Sequence, residues 1–116
     1  MKDDFDQFLP LSAAALHILL ALSSADRHGY AIMREVARQS EGRYKLGPGT
    51  LYDNLQKLLD QGIVEERPPR SPGDDPRRRY YRLSRFGRGL LATEIARLEG
   101  VVREARLHLK IRPEKA

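Results

Sequence analysis

Thr50, Asn54 and Lys57, with Asp53 beside them, are spaced to share one side of a helix, and they are the residues of this sequence best suited to chemistry. A hydroxyl, an amide and an ammonium group are what reads base edges and grips phosphates. They follow Gly47-Pro48-Gly49-Thr50-Leu51-Tyr52, which reads as a helix start. Proline has no N–H to lose in a first turn, and the glycines let a backbone approach another surface closely. Leu51, Leu55, Leu58 and Leu59 recur at i, i+4, i+7 and i+8, which buries the opposite side. An ordinary surface helix with a solvated face has the same pattern, so the surroundings must decide.

Gly62 ends that helix, residues 63–67 read as a short strand, and a turn rich in Pro, Gly and Asp leads to a second strand over 78–83. Residues 67–88 hold eight arginines against two acidic residues, a net +6, while the whole chain carries +5. A basic hairpin directly after a helix pair is the layout of a winged helix, whose wing reaches the phosphate backbone or the minor groove. Arg77, Arg78 and Arg79 at the start of the second strand are expected to supply affinity rather than sequence choice, because arginine suits bidentate phosphate contact. Lys45, ahead of the recognition helix, joins the DNA-contact set. The other reading of the hairpin is a solvated basic surface.

Catalysis finds little support. His17, His28 and His108 lie on three separate segments, and there is no Cys, phosphate-cradling glycine loop or serine elbow. No catalytic residue, metal site or cofactor is expected. His17 reads as a partly buried, hydrogen-bonded residue of an apolar helix, and His28 as a cap or packing residue. Asp74 and Asp75 sit in a turn, where aspartate is common for backbone reasons.

With 116 residues, 32% of them charged and 41% hydrophobic, the chain is expected to form one soluble domain. Arginine outnumbers lysine sixteen to five, which favours an anionic partner, double-stranded DNA. No apolar run approaches the roughly 20 residues needed to span a bilayer, and the opening Met-Lys-Asp-Asp-Phe-Asp lacks the charge pattern of a secretory signal. A cytoplasmic protein without membrane contact is expected.

The expected fold is mainly α with a small β-hairpin wing: a winged helix-turn-helix plus a long C-terminal dimerisation helix. Residues 1–10 form an acidic arm carrying Phe5 and Phe8, 11–84 the DNA-binding domain, and 85–116 the dimerisation helix with a frayed tail over 112–116. Ser12 and Ser84 are expected N-caps. In the last helix Leu91, Ile95, Leu98, Val102, Ala105 and Leu109 follow spacings of 4, 3, 4, 3 and 4, the a/d pattern of a coiled-coil seam. Such a seam calls for a partner helix, and a homodimer would place two readers on two half-sites. Leu90 and Leu91 could instead serve the chain's own core.

His28-Gly29-Tyr30-Ala31-Ile32, Gly49-Thr50-Leu51-Tyr52, Leu58-Leu59-Asp60-Gln61-Gly62-Ile63-Val64 and Arg79-Tyr80-Tyr81-Arg82-Leu83-Ser84-Arg85-Phe86-Gly87 together resemble the PadR family of transcriptional regulators, in its short form with one C-terminal dimerisation helix. The resemblance implies a homodimeric repressor on a palindromic operator, relieved by a small molecule or cellular signal, and places Tyr30 and Tyr52 at phosphates. Asp53 departs from the family pattern, which commonly has proline there. An acidic side chain suits a first helical turn but repels phosphate, so it would face cytosine N4 or solvent. Asp53 and the acidic arm also suit a second reading, a winged-helix protein–protein module with weak or no DNA binding. Family members that hold flat drugs use an aromatic platform, whereas this chain has no Trp and no aromatic residue after Phe86. An effector pocket would therefore be aliphatic, lined by Leu16, Leu91, Ile95 and Leu98 and rimmed by Phe5 and Phe8, and would suit an apolar, non-planar effector or none. Equally, these side chains would form plain dimer core.

Overall fold

The computed structural model describes residues 4–70 and 72–112. A short 3-10 turn over Asp4–Phe8 precedes α1 (Ala13–Ser24), β1 (Arg27–His28), α2 (Gly29–Gln39), α3 (Pro48–Asp60), β2 (Val64–Arg67), β3 (Tyr80–Leu83) and α4 (Arg85–Leu109). The three strands form an antiparallel sheet in the order β1-β3-β2, with Val64 opposite Leu83 and Arg67 opposite Tyr80. This is the expected winged helix with its long final helix. The sequence pattern had no room for β1, because two residues are too few to show an alternation. β3 begins at Tyr80 rather than Arg78, since Asp75 holds the preceding residues in a turn: its carboxylate accepts from the Arg77 N–H at 2.9 Å and its carbonyl from the Arg78 N–H at 3.1 Å. The tail expected over 112–116 falls, beyond Arg112, outside the described residues.

Ile18, Leu19 and Leu22 of α1, Ile32 and Val36 of α2, Leu51, Leu55 and Leu58 of α3, and Leu90 and Leu91 of α4 form one core. Leu91, expected in the dimer seam, thus packs within its own protomer, because the first turns of α4 lie against α1 and β3. Ser12 and Ser84 cap α1 and α4, accepting from the Ala15 and Gly87 N–H groups.

Gly62, at φ 72°, closes α3 with a Schellman pair: its N–H donates to the Leu59 carbonyl, and the Ile63 N–H to that of Leu58. At once the chain meets the start of α4. The Ser84 hydroxyl donates to the Gly62 carbonyl at 2.6 Å, and a Cβ at Gly87 would collide with the Ile63 carbonyl oxygen. The end of α3 and the start of α4 are joined backbone to backbone.

The arm is part of the body. Phe5 and Phe8 pack on Phe86 with ring centroids 5.1 and 5.7 Å apart, and the Leu11 N–H donates at 2.9 Å to Glu94, a carboxylate only 1% exposed. Hydrogen bonds from Arg97 hold the Glu94 carboxyl below the usual carboxylate range despite its burial, and the Leu11 N–H adds to them. His17 departs from expectation. Its ring stacks on Tyr44 at 4.5 Å, and its buried Nδ1 has no hydrogen-bond partner among the described residues.

Past Leu98, α4 leaves the core. Ile95, Val102, Ala105 and Leu109 are exposed and Leu98 is half-buried, which leaves the lower seam uncovered; Val101 and Leu107, outside the a/d pattern, are exposed as well. Beside it, Leu20, Leu83, Leu91, Ala92 and Ile95 line an open cleft of about 390 Å³ between α1 and α4. Of the lining expected, Leu91 and Ile95 border this cleft but Leu16, Leu98 and the arm phenylalanines do not, because the phenylalanines are engaged at Phe86 and Leu20 takes the place expected for Leu16. No helix among the described residues is long and apolar enough to cross a membrane.

Candidate nucleic-acid interface

Gly47 is the N-cap of α3, whose first turn starts at Pro48, and the helix presents Thr50, Asp53, Gln56, Lys57 and Asp60 to solvent. Around the helix Asp53 and Asp60 stand opposite the buried leucines, at the most projecting part of the face. The Gln56 amide donates to Asp60 at 2.9 Å. Asn54 does not share this outer face. It falls about 40° from Leu58 around the helix, is half-buried, and borders a groove with Phe8, Ser12 and Ala15. Its Nδ2 donates to the Thr50 carbonyl at 2.8 Å. Thr50 and Lys57 are thus open, and Asn54 flanks them on the arm side. Lys45 is exposed in the loop before α3.

On the other flank a cleft of about 260 Å³ gathers His28, Gly29, Tyr30, Tyr52, Arg77, Arg78, Arg79 and Tyr81. Tyr30 and Tyr52 are about half exposed, at 56% and 48%, with their rings at the rim. The Tyr52 hydroxyl lies on Gly29, where a Cβ would displace the tip of the tyrosine ring, so this glycine leaves room for Tyr52 at the rim of the cleft. Burial pushes the Tyr81 hydroxyl above its ordinary pKa, helped by Glu66 and the neighbouring Tyr52. The structure therefore brings together five residues singled out in the sequence, from α2, α3 and the wing. Tyr81 and Gly29, noted in the sequence only for the family resemblance, line the same cleft.

The wing is less basic than its arginine count suggests. Arg67 is buried, its side chain only 8% exposed, between Asp26 and Asp74. Arg70 reaches Asp26 at 3.3 Å, Arg82 reaches Glu65 at 3.2 Å, Arg79 reaches Glu66 at 3.8 Å, and Arg77 and Arg78 share Asp75 at 3.3 and 3.5 Å. Six of the eight arginines thus pair with five carboxylates, Asp26, Glu65 and Glu66 joining Asp74 and Asp75, and the net charge of the eight arginines with these five falls to +3. Arg77 and Arg79 keep most of their surface in water, at 89% and 76%, where a phosphate can reach them.

His28 caps α2, its Nδ1 accepting from the Ala31 N–H at 3.1 Å, with Arg78 Nη1 2.9 Å from the same nitrogen. Burial, and then Arg78, lower its pKa from 6.5, against the opposing pull of Asp75 and Asp74. The folded state therefore prefers the neutral ring, and the unfolded chain binds the proton more readily. Stability from this cap is complete above pH 6.5 and is lost as the pH falls through the lowered folded value. Melting curves of the parent and of His28→Asn, a cap that does not titrate, should diverge as the pH drops below 6.5, with the parent losing more. Parallel curves would remove the cap from the proton balance.

Three helices, a basic hairpin and an open helix face beside it define a winged helix-turn-helix protein. The model of the transcriptional regulator PadR-like family matches residues 18–93, and this chain belongs to that family. The transcriptional regulator Rv3488 of Mycobacterium tuberculosis is 34% identical over 95 residues, covering 80% of this chain and 82% of its own. A PadR family transcription regulator from Clostridium difficile R20291 superposes with a TM-score of 0.68 at 22% identity, over 84% of this chain and 99% of its own. Bacillus subtilis PadR, solved in complex with operator DNA, superposes with a TM-score of 0.59 at 19% identity, over 92% of this chain and 51% of that one. The two structures bear on the fold, the first relative on the family.

Proposed function

We propose that this chain is a cytoplasmic, homodimeric repressor that binds a palindromic operator. The observation that carries the reading is the convergence of Tyr30, Tyr52 and Arg77 to Arg79 on one cleft beside the open face of α3. In this reading α3 enters the major groove with Thr50, Asn54 and Lys57 at base edges and phosphates, and Asp53 is set to accept from a cytosine N4 amino group. Lys45, the two tyrosines and the wing arginines hold the backbone on either side. The seam of Ile95, Leu98, Val102, Ala105 and Leu109 joins two copies, so that two recognition helices meet two half-sites. A regulator of the same fold has been solved in complex with operator DNA. The cleft beside Leu20 and Ile95, largely apolar, without aromatic side chains and edged by Ser23, Arg88 and Glu99, is the place for an effector of mainly apolar, non-planar shape.

The acidic outer face of α3, Asp53 and Asp60, favours the second reading of a protein-binding winged helix. A binding titration on the DNA upstream of the chain's own gene, repeated from about 50 to 200 mM salt, separates them. A repressor gripping six or more phosphates should lose about 10³-fold or more in affinity over that range. Binding that is absent, or indifferent to salt, would move the function to protein partners.

A further inference from the structure

We propose that Arg67 is a positioning residue for DNA binding: it holds the wing ready for phosphate without touching the DNA. The inference rests on the DNA-binding reading above. β2 ends at Arg67 and β3 begins at Tyr80, so the connecting segment that carries Arg77, Arg78 and Arg79 has no strand ladder to shape it. Arg67 supplies the shape. Its Nε donates to Asp26 Oδ2 at 2.8 Å and its Nη1 to Asp74 Oδ2 at 2.9 Å and to the Pro68 carbonyl at 2.9 Å, while the guanidinium lies 4.7 Å over the Tyr80 ring. Asp74 Oδ2 also accepts from the Arg70 N–H at 3.2 Å.

From this node the order runs on to the exposed arginines. The Tyr80 hydroxyl, on the ring that Arg67 covers, accepts from the Asp75 N–H at 2.8 Å. Asp75 in turn accepts from the Arg77 N–H and pairs with Arg77 and Arg78. Asp26 lies between α1 and β1, in the body of the domain, so the node ties the wing to the core at one end and to its phosphate-facing side chains at the other. A planar fork is required for this: it bridges two carboxylates in fixed directions and stacks on a ring, whereas an ammonium group is a point charge. With its side chain 8% exposed and its donors directed at Asp26, Asp74 and Pro68, Arg67 is withdrawn from solvent. What it contributes is preorganisation, removing the ordering cost that a slack wing would meet on binding.

The test compares the parent with Arg67→Met, Arg67→Lys and, from the other side of the node, Asp26→Asn. Thermal melts define a temperature at which all are folded, and there hydrogen exchange over 72–79 and DNA affinity across a salt series are measured. Exchange in the wing should rise, and affinity for operator and random DNA should fall about tenfold in all three variants with the parent's salt slope retained, because the same phosphates are gripped once the wing is ordered. Unchanged affinity with faster exchange would reduce the node to a structural brace. A slope flatter by about 0.9 would make Arg67 a phosphate contact instead. If the Arg67 variants do not fold, the same two measurements on Asp26→Asn decide the matter. A parent without DNA binding would overturn the functional reading and this proposal together, whereas a binding parent matched by its variants would overturn this proposal only.

Discussion

Replacing Arg77, Arg78 and Arg79 together with alanine is expected to weaken binding to operator and random DNA alike by about a hundredfold near physiological salt. The magnitude follows from counterion release: each lost phosphate contact flattens the slope of log K against log salt by about 0.9, and three contacts at ~0.15 M amount to about two decades. The structure adds a sign. Asp75 and Glu66 lose the arginines they pair with and stand as uncompensated negative charges beside the DNA, which deepens the loss. Sequence preference should survive, because the variant leaves α3 untouched. Gel-shift or anisotropy titrations at four or five salt concentrations give both affinity and slope, and a triple variant with the parent's slope would show that the grip lies elsewhere.

Val102→Asp should convert a dimer into a monomer. Val102 is 48% exposed in the single chain, so the substitution leaves the protomer's own core intact, yet it puts a carboxylate in the middle of the uncovered seam. A charge buried there without a partner is strongly disfavoured. Leu98 is a less clean target, since it is half-buried within the protomer. Losing the second half-site removes the effective-concentration gain of about 10²–10⁴ in operator affinity. Sedimentation and an operator titration should therefore change together, with α3 and the wing as they were. A variant that remains dimeric would move the association surface off this seam.

The helices and caps were legible because their signals are local. Leucine spacing in α3, Ser12 and Ser84 ahead of α1 and α4, and Gly62 at a left-handed position all act within one or two turns. What could not be read depends on distant partners. Glu94 looks like one more helix charge paired at i+3 with Arg97; that it is buried, and accepts from the Leu11 N–H 83 residues away, is not visible in the local pattern. Phe5 and Phe8 announce an apolar arm but not that Phe86 receives them. A count of arginines overstates the charge of the wing for the same reason, since Asp26, Glu65 and Glu66 lie outside the stretch that holds them. Asn54 shows a subtler limit: polarity alone suggests the outer face, while its angle to Leu58 puts it on the flank.

The junction of Gly87 with the Ile63 carbonyl makes α4 a lever rather than a tether. From Gly87 to Leu109 the helix extends about 33 Å at 1.5 Å per residue. At its fulcrum the Gly87 backbone meets the Ile63 carbonyl, and the Ser84 hydroxyl bridges to the carbonyls of Gly62 and Ile63. A tilt of about 5° at that fulcrum carries the far end through about 3 Å, on the helix length given by its rise. Conversely, whatever is clamped at the far end sets the heading of α3, because Gly62 and Ile63 close α3 and bear on α4 through Ser84 and Gly87. A displacement at either end of α4 is thus coupled to the end of α3 through that one junction.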